Sequence, residues 1–363
     1  MSVFTRPLRS ALRPARRTRA QRDGARESDP VTSVDRRRRG LLLAAGTVGW
    51  SLAVGPVLGQ APAAAGDAFP QRHVSLWLPW PAGGATDLTM RLLAELAGRQ
   101  LGQRVIVENR AGAGGTLVMP VLQQAAADGY TIAQMPQPVF RAPWMRKVLW
   151  DPIRDTTPII QISGVTFGIV VAAASPLRTL DDLFAYARDN PGRLSVATNG
   201  VGTTPQVVMD ELFSRRQLEY LHLPYKGTAE QMIAVVTGQV MAGVNSTGFA
   251  PFVDSGQLHL LATFGEQRTR RWPTVPTLKE LGHGIVASSP YGLAGPHGMP
   301  PEVVRRLHDA FRSAMLDPTH IAELARYDQQ LDYLGPDDYG RAMREAFAAE
   351  KRTVDRLGLA KGS

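Results

Sequence analysis

The feature that most constrains this 363-residue chain is a join that recurs along it: an apolar strand-like run, a loop of small residues, then an amphipathic stretch. "HVSLWLPW" passes through "PAGGATD" into "LTMRLLAELAG", where Leu88, Leu92, Leu93 and Leu96 recur at helical spacing. "RVIVEN" passes through "RAGAGG" into "TLVMPVLQQAAADG", a helix shortened by Pro120, and "YTIAQM" reads as a further strand. After a Pro- and Trp-rich region the signal resumes with "GIVVAAASP", "RLSVATN" and "LEYLHLPYKG", each followed by a helical pattern. Thr204 is placed to cap the helix after "GVGTTP", and Thr228 with Gln231 has the spacing of a capping box. Strand and helix in alternation predict an α/β fold around a largely parallel sheet. About 300 residues of such sequence are more typical of two domains than of one.

Small residues at a strand-to-helix join have a chemical use. The first N–H groups of a helix lack intrahelical partners, and the aligned peptide dipoles add partial positive charge there. Gly83, Gly84, Gly112, Gly114 and Gly115 carry no Cβ to hold a ligand away, and they admit left-handed dihedrals that aim N–H groups inward. Such joins are anion sites at the carboxyl ends of strands, where open sheets bind ligands. Tight turns and helix stops in an ordinary α/β protein would use the same glycines. Neither nucleotide motif is complete: no Gly-Lys-Ser or Gly-Lys-Thr follows the glycines, and Met119 and Pro120 stand where a dinucleotide loop needs glycine. A small carboxylate, held by amides and by the hydroxyls of Thr86, Thr116, Thr203 and Thr204, fits what remains.

The formal charge of +9 suggests nucleic acid, but its distribution argues otherwise. Residues 1–40 hold 12 Arg against 4 acids, and the rest carries 29 basic and 28 acidic groups. The nearly neutral remainder offers no phosphate-tracking surface, so no nucleic-acid partner is expected. The arginines of 36–39, the apolar run to Leu58 and the small residues after it have the order of a twin-arginine export signal, spanning 1–66. A retained membrane anchor is the alternative, since Gly40 to Leu58 could just cross a bilayer. No cysteine is present, so disulfides and lipid attachment through cysteine are excluded. The seven histidines show no ligand spacing, and no Gly-x-Ser-x-Gly elbow occurs; no metal, cofactor or catalytic residue is assigned.

Taken together, "LPWPAGGATDLTMRLLAELAGRQLGQRVIVENRAGAGGTL", "DGYTI", "WDPIRDTTPI", "SVATNGVGTTP", "LPYKGTAEQMIAVVTGQV", "VPTLKELG", "GLAGPHGMPPEVVRRL" and "LGPDDYGR" resemble the periplasmic substrate-binding receptors of tripartite tricarboxylate transporters, the Bug proteins. The likeness runs from about Phe69 to Leu357. It implies a two-domain periplasmic binding protein of Venus flytrap type with an interdomain ligand cleft, located in the periplasm. The boundaries are 67–168 with 289–363 for domain 1 and 169–288 for domain 2. It implies a monomer that binds a small organic anion and delivers it to the membrane subunits of the transporter. An enzyme that converts carboxylates in the same cleft, or a receptor that signals to a membrane sensor, are the alternatives.

The resemblance also assigns residues. The proximal carboxylate falls to Ala82, Gly83, Gly84, Thr86 and Asp87 in the first loop and to Ala113, Gly114 and Gly115 in the second. The second domain contributes Thr198, Gly202, Thr203, Thr204, Lys226, Gly227 and Thr228. Four positions depart from the family pattern: Trp80 replaces Phe or Tyr, Gln206 stands for a common His, Asn245 for a frequent Asp, and Tyr291 follows Pro290 where a Trp is usual. Trp80 and Tyr291 are expected to form an aromatic wall, and the amides of Gln206 and Asn245 to read a less acidic distal end of the ligand.

Overall fold

The structure is a computed structural model that describes residues 69–360. The expected export signal lies outside the described residues. In chain order the elements are β1 (Val74–Leu78), α1 (Ala85–Leu101), β2 (Val105–Asn109), α2 (Val118–Gln124), β3 (Thr131–Met135), α3 (Pro138–Met145), β4 (Thr156–Ala172), α4 (Leu180–Asp189), β5 (Ser195–Thr198) and α5 (Thr204–Ser214). There follow β6 (Leu221–Pro224), α6 (Thr228–Val236), β7 (Ala242–Ser246), α7 (Ala250–Asp254), β8 (Leu258–Thr263), β9 (Ser288–Pro296), α8 (Pro301–Met315), α9 (Pro318–Arg326), β10 (Gln330–Leu334) and α10 (Pro336–Leu357).

The strands hydrogen-bond in the order β2-β1-β3-β9-β4-β7-β5-β6, with β8 and β10 also paired to β4. Parallel pairing is confined to the two flanks, β2-β1-β3 on one and β7-β5-β6 on the other. Every pair that involves β4 or β9 is antiparallel, so the largely parallel sheet expected from the sequence is a mixed one. The physical reason is the 17-residue β4, too long for one flank. It pairs with β9 up to Thr166 and with β7 from Phe167 onward, and thereby serves both flanks.

Local chemistry sets the helix limits. Gly102 ends α1 in the left-handed region at φ 71°, where only glycine rests without strain. The inward face of α1 is Met90, Leu93, Ala97 and Leu101; Leu88, expected among the apolar residues, is exposed because the helix turns Asp87 and Thr89 inward instead. Pro120 falls in the first turn of α2, where it forfeits no helical hydrogen bond. Two capping assignments fail. Thr203, not Thr204, is the N-cap of α5, and Gly227 is the N-cap of α6, so Thr228 is already helical and no Thr228–Gln231 box forms. Gln231 instead donates from Nε2 to the carbonyls of Ala197 and Val244, stitching α6 to β5 and β7. The C-terminal helices pack on the first flank, α8 on α1 and α10 on α3 and β4.

Candidate functional site

The carboxyl ends of the parallel strands face one cavity of about 430 Å³, and its wall is drawn from both flanks. The residues after β1, at the end of β3, after β5 and after β6 all reach it. Val165 and Phe167 reach it from β4 at the point where that strand changes partners. Three helices begin on this wall. Gly84 precedes α1, Thr203 precedes α5 and Gly227 precedes α6, each in extended conformation and none with a side-chain cap. Three sets of N-terminal N–H groups, each carrying the positive end of a helix dipole, therefore converge on one space.

The first loop is held in shape by the acid it contains. Asp87, only 2% exposed, accepts from the Gly83 N–H at 2.9 Å and from Arg91 Nε at 3.0 Å on Oδ2, and from Asn109 Nδ2 at 2.7 Å on Oδ1. Asn109 also donates to the Trp80 carbonyl at 2.9 Å. Burial alone would raise the Asp87 pKa, but the bonds from Arg91, Gly83 and Asn109 hold it below the ordinary carboxylate value. Asp87 borders the cavity with its oxygens already engaged, so it holds the first loop in shape. Gly83 takes φ +84°, whereas Gly84 sits at φ −78°: the left-handed dihedral expected of the pair belongs to the first glycine alone.

Of the residues singled out from the sequence, Trp80, Ala82, Gly84, Thr86, Asp87, Thr203, Thr204, Lys226, Gly227, Thr228, Asn245 and Tyr291 border the cavity. Gly83, Ala113, Gly114, Gly115, Thr198, Gly202 and Gln206 do not, and most have visible structural duties. A Cβ on Gly114 would meet the Val201 carbonyl oxygen at 2.5 Å, and one on Gly115 would meet Trp80 Cη2 at 2.9 Å. These glycines admit the loop after β5 and the indole ring; from that second loop it is Ala111 that reaches the wall. Ala113, at φ 48°, belongs to the same tight turn. Thr198 is fully buried, its Oγ1 2.7 Å from His222 Nε2, and burial lowers the His222 pKa.

Gln206 and Asn245 are engaged elsewhere. Gln206 Oε1 accepts from the Gly202 N–H at 2.6 Å and closes the turn into α5. Asn245 donates to Gln231 Oε1 and accepts from the Ser246 N–H at 2.7 Å, so its polar atoms serve the α6–β7 join. Tyr291, 2% exposed, donates to Gln329 Oε1 at 3.0 Å, and burial pushes its phenol up to about 12. Trp80, Phe167, Val165 and Tyr291 make up much of the apolar wall.

Sequence reasoning missed Gln134, Asn199, Ser289 and Glu230, which also border the cavity. Gln134 had a legible signal: a lone amide in an otherwise apolar strand, one residue from its carboxyl end. No group of His, Asp or Glu side chains able to hold a metal occurs among the described residues.

The profile described as "Tripartite tricarboxylate transporter family receptor" matches residues 89–359. The chain belongs to this family. A Cupriavidus necator relative, described as the UPF0065 protein in the gbd 5′ region, is 44% identical over 319 residues, covering 88% of this chain and 96% of the relative. The solved structure of periplasmic binding protein BugD superposes with a TM-score of 0.77 at 27% identity, covering 81% of this chain and 100% of that one. MatC from Rhodopseudomonas palustris with bound malate gives 0.74 at 25%, covering 79% and 100%. The α/β fold is that of the periplasmic binding proteins, and this receptor is a periplasmic member of its family.

Proposed function

We propose that this receptor binds one small organic carboxylate in the cavity between two lobes and presents it to the membrane subunits of a tripartite tricarboxylate-type transporter, without chemical turnover. The lobes are 67–168 with 289–363 and 169–288, and they close about the middle of β4 with the ligand's proximal carboxylate against the helix starts. The observation that carries the reading is the convergence of three uncapped helix N-termini on one cavity. N–H groups and helix dipoles stabilise an anion without a buried cation, and they release it without breaking an ion pair. Loops from the two lobes already touch: a Cβ on Gly227 would meet Pro81 at 2.8 Å, and Arg141 donates to the Gly202 carbonyl at 2.9 Å.

A binding role is further supported by the wall's chemistry. Its ionisable side chains are Asp87, Lys226, Glu230 and Tyr291. Asp87 and Tyr291 are held by internal hydrogen bonds and serve the shape of the wall. Incubating the mature protein with a panel of organic acids and following the mixture by mass spectrometry tests this. Stoichiometric capture with the acid unchanged is expected, and multiple turnovers would refute the reading.

A further inference from the structure

The small-residue loops of the two flanks meet in pairs. In the first pair Pro81, after β1, lies against Gly227, after β6, and both border the cavity. A Cβ on Gly227 would stand 2.8 Å from Pro81 Cγ and 3.4 Å from Pro81 Cβ. In the second pair a Cβ on Gly114, after β2, would meet the Val201 carbonyl oxygen at 2.5 Å, and one on Gly200, after β5, would meet Gly114 Cα at 3.4 Å. Gly114 and Gly200 have a separate reason to be glycine, since φ is +66° and +126° there. Gly227 has none of that kind. Its φ of −153° is extended backbone open to any residue, and as the N-cap of α6 it stands where Ser, Thr, Asn or Asp would serve the helix better. What excludes a Cβ at this position is the proline ring of the opposite flank.

We propose that Gly227 is a positioning residue for closure: its missing side chain lets the loop after β1 in one lobe seat on the loop after β6 in the other. The proposal rests on the two-lobe reading above and adds what limits the approach of the lobes. Gly227 then acts through Pro81, whatever molecule the cavity holds. Among the described residues no backbone hydrogen bond joins these two loops. They meet by van der Waals contact, which is weak for each pair of atoms and fades steeply with distance, so the loops part without breaking a polar bond. The contact also sets the spacing of two helix starts. Gly227 is the N-cap of α6, and Pro81 lies just before Gly84, the N-cap of α1. A side chain at 227 would therefore hold the N-termini of α1 and α6 apart.

The absence of cysteine from the chain makes the contact trappable. A Cβ-to-Cβ separation of 3.4 Å is at the short edge of the range that a disulfide spans, about 3.5–4.5 Å. In the mature protein carrying Pro81→Cys with Gly227→Cys, mild oxidation is expected to remove both titratable thiols without joining two chains. Thiols that stay free in the folded double variant would overturn the proposal. Small-angle X-ray scattering of the mature protein as purified tests the steric part separately. Gly227→Ala is expected to enlarge the radius of gyration relative to the parent. Adding Pro81→Ala to the same chain is expected to restore it, because loss of Cγ leaves the two Cβ atoms at 3.4 Å, an ordinary contact. Both chains carry the same alanine at the N-cap, so its cost to α6 cancels between them. A radius unchanged by Gly227→Ala, or one that stays enlarged in the double variant, would overturn the proposal. Neither measurement depends on a bound anion: a contact that fails these tests leaves the carboxylate reading standing, and a failure of the carboxylate reading leaves the contact standing.

Discussion

Arg141 Nε lies 2.6 Å from Glu350 Oε2 with both side chains buried, and the same guanidinium donates through Nη1 to the Gly202 carbonyl at 2.9 Å. One ion pair therefore joins α3 to the C-terminal helix α10 and holds the loop that leads into α5. Removing one partner of a buried pair strands a charge in low dielectric and costs about 3–5 kcal/mol. Glu350→Ala is expected to lower stability by about that amount in urea melts, and to weaken ligand binding because the Gly202 loop loses its anchor. Retained affinity in a folded Glu350→Ala protein would show that the pair serves stability alone.

The two glycines of the first loop separate backbone strain from ligand access. Gly83→Ala forces φ +84° on a residue with a Cβ and is expected to lose about 1–2 kcal/mol of stability with binding largely kept. Gly84 has φ −78°, and a Cβ there meets nothing nearer than the Pro81 carbonyl at 4.0 Å. Gly84→Val should therefore fold, at a cost of about 1 kcal/mol for a poor N-cap. Its side chain would screen the start of α1, and calorimetric affinity should fall about a hundredfold, the worth of one or two bonds to an anion.

Asp87 makes a pH-dependent prediction. Its folded pKa is depressed below 3.8, so its stabilising contribution is complete above that value and is lost as pH falls through the folded pKa. Asp87→Asn is expected to cost about 2 kcal/mol at neutral pH, through the charge-assisted bonds to Arg91 and Gly83. The difference between parent and variant should shrink below about pH 4. A difference that does not change with pH would exclude the ionised carboxyl as the cause.

Asn245 joins α6 to β7 through buried bonds to Gln231 and Ser246. Asn245→Ala leaves Gln231 Oε1 without its donor in a fully buried site, and is expected to lower stability by about 1–3 kcal/mol. Equilibrium denaturation measures that loss, while relative affinities across a ligand panel should stay in the same order.

Why some of this was legible in the sequence and some not follows from particular residues. The joins at Gly84, Thr203 and Gly227 were readable because an apolar strand, a small loop and a helical period are all local patterns. Gly114 and Gly115 look like cradle glycines in the sequence, yet they make room for the Val201 carbonyl and the Trp80 ring, neighbours set only by tertiary packing. The internal bonds of Gln206 and Asn245 were hidden for the same reason. Whether an amide is free depends on what stands opposite it, here the Gly202 N–H and Gln231. The antiparallel insertion of β9 between β3 and β4 was hidden because "SSPYGLAGP" is apolar on both sides and its periodicity does not encode direction.

The most direct test of the central claim is a paired calorimetric titration. The small molecule released by denaturing protein purified from the periplasm would be compared with its methyl ester at the proximal carboxylate. If the anion is held by the converging helix starts, the acid binds about a hundredfold or more tightly than the ester, as expected when a charge-assisted set of N–H bonds loses its negative acceptor. An ester that binds as tightly as its acid would contradict the carboxylate cradle.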